Sequence, residues 1–453
     1  DSQPLAQGRA FSVARGSWHG RIPRNPACEP LAGRCFPMRL DSLLGFFGKK
    51  GNAAASTSTL PPKDRADSQP QGSDKTSGAA RSSRTSGTAG GGADASQRQV
   101  EPMMPVTETA MDESINLLAN QSSVWDTSEY RFVRTLQDAV RNHGRVDLMR
   151  AKDGRYVAVK RMPCRWMRKG PKEFKEQFPN ASEQPWSDLG FVHELNRRSY
   201  PYSVQLIGVF RDETHSYVVS TFAAEGDLFS WCDRDPKPGP EREVVMQPLV
   251  VQMFSAVRWL HELGIAHRDI SLENILLTSS GKPEQPNLQV KLIDFGMSTL
   301  SRSCVREVRG KQSYQAPEMH LDAPYDSFLV DTFALGVVIF AMAAQDYPWI
   351  ATKRNSCQLF EYVNSVGLKR FMERRKLRKG NGAYLSEVFS PPLLELLDGL
   401  LSLNAKTRMA LGESCWAEEE STKRSSVWGL RWMANLAVPP GGIGSDGRLV
   451  VPL

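Results

Sequence analysis

Cysteine is scarce in this 453-residue chain. The seven cysteines stand at 28, 35, 164, 232, 304, 357 and 415, odd in number and without a CxxC pair. A disulfide framework or a thiolate zinc site is thereby disfavoured, and a reducing intracellular setting, expected to be cytoplasmic, is the simpler expectation. An uninterrupted apolar run of about 18 residues is also lacking, so no helix is expected to span a bilayer. Leu40, Leu43, Leu44, Phe46 and Phe47 form only a short patch before Lys49 and Lys50. It reads as a local cluster in a tail or a weak amphipathic anchor rather than a secretory signal. Between Gly51 and Gln99 the only large apolar residue is Leu60. Such a stretch cannot offset its chain entropy by burial, so residues 1–127 are expected to form a disordered, low-complexity arm. The chain begins at Asp1 rather than Met, as expected of a fragment, a processed form or a misread gene.

Excess charge is missing where a core could form. The net charge is +7, but residues 1–100 hold 14 basic and 7 acidic side chains, leaving 43 of each sign for the rest. A neutral body argues against a nucleic-acid-binding domain, which needs surplus cations against phosphate. The basic arm could meet a regulatory partner.

What is present is periodicity. "YRFVRTLQD" and "GRYVAVKRMP" alternate as strands, and "VQLIGVFRDETHSYVVSTF" reads as two strands joined by a polar turn. "EQPWSDLGFVHELNRR" predicts a helix entered through Pro185, and "VVMQPLVVQMFSAVRWLHELG" a longer one stopped at Gly264. "NILLT" and "VKLIDF" are short strands, after which "DSFLVDTFALGVVIFAMAA", "LFEYVNSV" and "PPLLELLDGLLSL" are helical. Strands first and helices later predict an α+β protein with two lobes. The cations of "LKRFMERRKLRKG" suit a solvated helix face, or docking of acidic partners or lipid headgroups.

Asp269 follows the long helix in "HRDISLEN", with Asn274 five residues on, and Asp294 follows a strand in "LIDFG". One Asp to accept a proton, and an Asn with a second Asp to hold divalent cations, is what phosphoryl transfer needs. Lys160, ending "YVAVK", adds a fixed cation for nucleotide phosphates.

With "APE" at Ala316-Pro317-Glu318, Asp331 in "DTFALG", Pro348-Trp349, Arg408 and Trp416, these motifs resemble the eukaryotic protein kinase superfamily over roughly residues 128–416. "YQAPE" resembles the Ser/Thr form. The resemblance implies a two-lobed kinase fold, with a small β-rich lobe at about 128–222 and a larger helical lobe at about 223–416. The tail at 417–453 has no counterpart. The resemblance further implies Mg-ATP, a protein substrate, Asp269 as catalytic base, and Mg²⁺ on Asn274 and Asp294. It places Lys160 against the α- and β-phosphates, and a structural ion pair between Glu318 and Arg408. Gly144, Val146, Ala158, Ser220, Thr221, Phe222 and Asp227 fall at nucleotide-contacting positions, with Ser220 a small residue before the hinge. Arg268 would pair with a phosphorylated loop residue, for which Ser298, Thr299, Ser301, Ser303 and Ser313 are candidates.

Three departures stand out. The glycine-rich loop reads "AVRNHGRV", with Ala139 and Arg141 at the first two glycine positions and only Gly144 retained. In this the chain resembles divergent protist kinases that lack the loop, and a pseudokinase scaffold is the alternative reading. The Glu expected to pair with Lys160 is replaced at its counted position by Phe191. Asp188 shares a helix face with Phe191 and Leu195 and is favoured for that pairing, and Glu194 is the other candidate. Finally, Ser271 and Lys311 stand where the family has Lys and Thr. The expectation is that the pair is exchanged, with Lys311 reaching toward Asp269 and Ser271 supplying the hydroxyl.

Overall fold

Alternating strands between Tyr130 and Thr221 assemble into one face of a sheet that carries charge and another that carries aromatic rings. The computed structural model describes residues 104–139, 143–167, 170–181, 183–280, 287–378, 382–416, 424–434 and 436. Helix α1 (Glu108–Asn120) comes first, capped by the Thr107 hydroxyl, which accepts from Ala110 N. Strands β1 (Ser123–Val124), β2 (Tyr130–Ala139), β3 (Gly144–Ala151), β4 (Tyr156–Pro163), β5 (Leu206–Arg211) and β6 (His215–Thr221) form a six-stranded sheet in the order β1-β5-β6-β4-β3-β2. All pairs are antiparallel except β1 with β5. The period of two sends Val157 and Val159 of β4 to one face and Ala158 and Lys160 to the other. On the first face Val157, Val159, Met149, Tyr217 and Val219 are buried. Trp125 lies over them, stacked 4.1 Å from Tyr217 and 4.9 Å from Tyr130.

After β4 come α2 (Pro171–Gln177) and α3 (Pro185–Arg197), both entered through proline. Pro185 opens α3 where the missing N–H costs nothing. The helix buries Leu189, Phe191, Val192 and Leu195.

The second lobe begins with α4 (Leu228–Cys232) and α5 (Pro240–Glu262). The chain leaves α5 through Gly264 at φ +75°, a conformation that suits glycine. A hairpin of β7 (Ile275–Ser280) and β8 (Asn287–Leu292) carries the loop of Asp269 at one end and Asp294 at the other. A two-residue pair, β9 (Ser303–Cys304) and β10 (Tyr325–Asp326), precedes α6 (Ser327–Ala344), which Asp326 caps. Helices α7 (Gln358–Val366), α8 (Leu368–Arg374), α9 (Leu385–Val388) and α10 (Pro391–Leu400) complete the lobe. Leu393, Leu396, Leu397 and Leu400 of α10 face the core at helical spacing. The strand-rich first half and helical second half match the expected α+β, two-lobed architecture.

Two expectations need correction. Residues 104–127 are not part of a disordered arm. Val106, Met111 and Ile115 are buried, α1 packs along α3, and a Cβ on Gly190 would lie 2.7 Å from Ile115 Cγ1. Residues 1–103 lie outside the described set. The folded region also does not stop at Trp416. Val427, Trp432 and Met433 are buried, Trp432 Nε1 donates to Glu243 Oε2 at 3.1 Å, and Trp428 Nε1 donates to Leu411 O at 2.7 Å. By length and composition alone α6 is apolar enough to cross a membrane. Its single Asp331 interrupts the apolar run. All of it is buried in the helical lobe, as the central helix of a core.

The basic run at 368–378 is partly spent within the fold. Arg375 reaches Asp346 Oδ2 at 2.7 Å and Tyr347 O at 3.0 Å, and Arg370 reaches Glu373 at 2.7 Å.

Candidate active site

Lys160 faces α3 because β4 alternates and Val157 and Val159 take the other side. Its Nζ lies 3.5 Å from Asp188 Oδ2. Asp188 sits in the first turn of α3, and its Oδ1 accepts from Phe295 N at 2.8 Å. One carboxylate thus links a strand cation to the backbone after Asp294. Burial alone would depress the Lys160 ammonium. Asp188, Asp294 and Glu183 outweigh that and hold its pKa above the ordinary value. Burial lifts the Asp188 carboxyl, against the pull of Lys160.

Glu194, the competing candidate, is fully buried and turned away. It accepts from the Ser114 hydroxyl of α1 and pairs with Arg197 at 2.8 Å and with Arg198. Glu183 was not singled out from the sequence. It is 6% exposed, and its Cγ lies 3.6 Å from where a Cβ on Gly296 would stand. Next to it, Gln184 N donates to Gly296 O at 3.0 Å. An acidic residue just before the helix-opening Pro185 was the available signal.

Asp294 adopts the left-handed region, φ 66° and ψ 66°, a strained setting for a non-glycine residue. Its neighbour Phe295 is fully buried, with ring centroids 4.8 Å from His267 and 6.5 Å from Phe191. The loop of Asp269 is oriented from beneath by Asp331 on α6. Its two oxygens accept from His267 N and Arg268 N, each at 2.7 Å. Asp269 is 3% exposed. Asn274 Nδ2 donates to Asp269 O at 2.8 Å and to Asp269 Oδ2 at 3.1 Å, so the two side chains hold each other.

The segment after Asp294 returns over this loop. Gly310 takes φ +79°, and a Cβ there would stand 2.7 Å from Arg268 O and 3.3 Å from Asp269 Oδ1. That close approach admits only glycine. Lys311 then donates to Ser271 Oγ and lies 3.3 Å from Glu273 Oε2. The two expected exchange partners meet, with a carboxylate beside them. Three of the five candidate hydroxyls bond elsewhere: Ser298 to His267 O, Ser301 to Ser303 O and Ser313 to Ile350 O. Arg268 instead meets Glu307 Oε2 at 2.8 Å. Arg408 Nη2 donates to Glu318 Oε2 at 2.9 Å.

On the nucleotide side, Ser220 faces Ala158 in register and Val146 faces Lys160. The Thr221 hydroxyl accepts from Gln205 N at 3.0 Å, and Phe222 begins the link between the lobes. Asp227 caps α4 by accepting from Ser230 N at 2.7 Å. Gly144 pairs with Ala139 across the hairpin, and a Cβ on it would overlap Arg161 O at 1.8 Å. The glycine is therefore required by the neighbouring strand itself. His143 meets the Trp166 ring edge-on at 4.7 Å, and Trp166 packs on Phe174 and Phe178. Arg141 lies outside the described residues.

Oxygen donors on Asn274 and Asp294 suit a hard cation such as Mg²⁺. Among the described residues no group of three or more His, Cys, Asp or Glu is arranged to hold a metal by itself.

Residues 142–418 match the family model described as the protein kinase domain. The chain is similar to the CBL-interacting serine/threonine-protein kinase 13 of Arabidopsis thaliana, 29% identical over 48% of this chain and 39% of that protein. It is similar to the testis-specific serine/threonine-protein kinase 5 of Mus musculus, 30% identical over 50% of this chain and 56% of that protein. The NUAK family SNF1-like kinase 2 of Rattus norvegicus is 27% identical over 49% of this chain and 31% of that protein. The match thus spans about a third to a little over half of these relatives' length. A kinase-domain match over more than half of the sequence, on a two-lobed fold, makes this chain a member of the protein kinase family.

Proposed function

We propose that the chain is an active serine/threonine protein kinase that transfers the γ-phosphoryl group of Mg-ATP to a protein hydroxyl. The observation that carries this reading is the double engagement of Asp188, with Lys160 and with Phe295 N. A chain that only scaffolds has no physical need to keep the lysine, its carboxylate partner and the Asp294 backbone joined.

In the reaction the substrate hydroxyl oxygen attacks the γ-phosphorus, the bond to the ADP oxygen breaks, and the hydroxyl proton passes to Asp269. Asn274 keeps the Asp269 carboxylate oriented for that proton. Lys160 contacts the α- and β-phosphates. Mg²⁺, when bound through Asp294 and Asn274, neutralises phosphate charge. Lys311 adds a cation beside Asp269 as charge develops, with Ser271 fixing its position. Ser220, Ala158, Val146, Thr221 and Phe222 border the adenine, and Gly144 and Asp227 close the two ends of the nucleotide. The protein operates inside the cell, in the cytoplasm, and its basic arm recruits a regulatory partner.

One observation favours a second reading, a nucleotide-binding pseudokinase scaffold. The hairpin sequence lacks two glycines, and His143 meets the Trp166 ring edge-on. Incubation with γ-labelled ATP and generic protein substrates, beside Asp269→Asn, separates the two. Labelling by the wild type alone is expected. Equal labelling by both proteins removes Asp269 from the mechanism, and nucleotide binding without labelling selects the scaffold.

A further inference from the structure

We propose that Glu307 is a positioning residue for phosphoryl transfer, a genetically encoded carboxylate in the seat that Arg268 offers to an anion, so that the segment after Asp294 is ordered without being phosphorylated. The inference rests on the kinase reading above.

Arg268 adjoins Asp269, and its side chain is 7% exposed. A buried guanidinium needs an anion or the site is strongly destabilised. Its Nε donates to Met297 O at 2.8 Å, its Nη1 donates to Glu307 Oε2 at 2.8 Å, and Nη1 also lies 3.6 Å from Cys304 Sγ. Glu307 is held from two further sides. Arg309 Nη2 stands 3.6 Å from its carboxylate, and the Tyr325 hydroxyl donates to its carbonyl at 2.5 Å. Tyr325 belongs to β10, so the contact ties the segment to the floor of the helical lobe.

Register does the rest. Three residues after Glu307, Gly310 passes so close to Arg268 O and Asp269 Oδ1 that it fits in one way. The next residue is Lys311, on Ser271. Fixing Glu307 on Arg268 therefore fixes where Lys311 arrives. A phosphoryl group would supply more charge at this seat, but it would depend on an upstream enzyme. The carboxylate is present in every copy of the chain. The Ser301 hydroxyl donates to Ser303 O at 2.7 Å, and Glu307 occupies the seat.

The test uses the full chain, treated with a nonspecific phosphatase, with loop phosphate content read by mass spectrometry. Kinetics and amide hydrogen exchange across residues 303–312 are measured for wild type, Glu307→Gln and Glu307→Asp. Dephosphorylated wild type should keep its kcat within about twofold. Glu307→Gln should lose about tenfold or more in kcat, with KM for ATP within about twofold, and should exchange faster across 303–312. Glu307→Asp should restore most of both. Loss of wild-type activity on dephosphorylation, or wild-type kcat and exchange in Glu307→Gln, overturns the proposal. If wild type transfers no phosphate in either state, the kinase reading fails, and the exchange comparison alone decides whether Glu307 orders the segment.

Discussion

Lys311, on the segment that follows Asp294, donates to the hydroxyl of Ser271, two residues past Asp269. The cation and the hydroxyl thus meet across two separate segments of the chain.

Lys311→Ala should therefore lose turnover by about a hundredfold or more, the scale of removing one preorganised charge donor. ATP affinity should stay near the wild-type value. Steady-state kinetics with a nucleotide titration provide the check, and near-normal kcat would remove Lys311 from the site.

Asp188 and Glu194 should separate cleanly. Asp188→Ala takes the partner from Lys160 and the acceptor from Phe295 N, so KM for ATP rises and kcat falls. Glu194→Gln leaves those contacts in place and weakens the docking of α1 on α3. Its cost is expected in thermal stability, about 1–3 kcal/mol for poorly satisfied buried donors.

His261 gives a pH signature. It is buried between Asp331 Oδ2 at 3.2 Å and Glu413 Oε1 at 2.7 Å, and it stacks on Phe328. Burial disfavours its charge, but the two carboxylates outweigh burial and push its pKa up to about 9 from 6.5. A group raised on folding stabilises fully below its unfolded value and loses that contribution as pH rises through the folded one. The melting temperature should fall between pH about 6.5 and about 9, and His261→Gln should flatten the slope. An unchanged slope in that variant assigns the effect elsewhere.

Ser220 should admit bulky ATP-competitive inhibitors beside Ala158. Ser220→Phe should weaken such compounds about tenfold or more while KM for ATP changes little, because the ring fills only the space behind the adenine. Inhibition constants for both proteins decide it.

Trp432→Ala should cost about 3–5 kcal/mol, the range for a buried large aromatic, since the ring is 3% exposed and its Nε1 serves Glu243. Urea unfolding monitored by circular dichroism measures this.

Much of the architecture could be read from the chain before the coordinates. The strands announced themselves through a period of two, and Pro185 and Gly264 bracketed helices for reasons local to one residue. The helix-face argument put Asp188 ahead of Glu194, and Lys160 does sit by Asp188. What escaped was non-local or lacked period. Helix α1 shows Met111, Ile115 and Leu118 at helical spacing behind Thr107, but the low-complexity sequence ahead of it draws the eye away from the pattern. The closing segment folds as single turns around Trp428 and Trp432 that no window detects. The Arg268–Glu307 pair spans 39 positions, and no local rule couples residues at that distance. Gly144 was assigned by its motif, whereas its need for glycine comes from Arg161 O on the adjacent strand.

The segment from Val106 to Val124 has a mechanical consequence. Val106 N donates to Leu263 O in the helical lobe at 2.8 Å, and Val124 pairs with Arg211 in the sheet. This makes a second connection between the sheet and the helical lobe, alongside the linker from Phe222 to Asp227. Two bodies joined by one strap can swing through a cone, and two bodies joined by two straps pivot about a single axis. In the kinase reading proposed above, opening for nucleotide release would be guided by both connections.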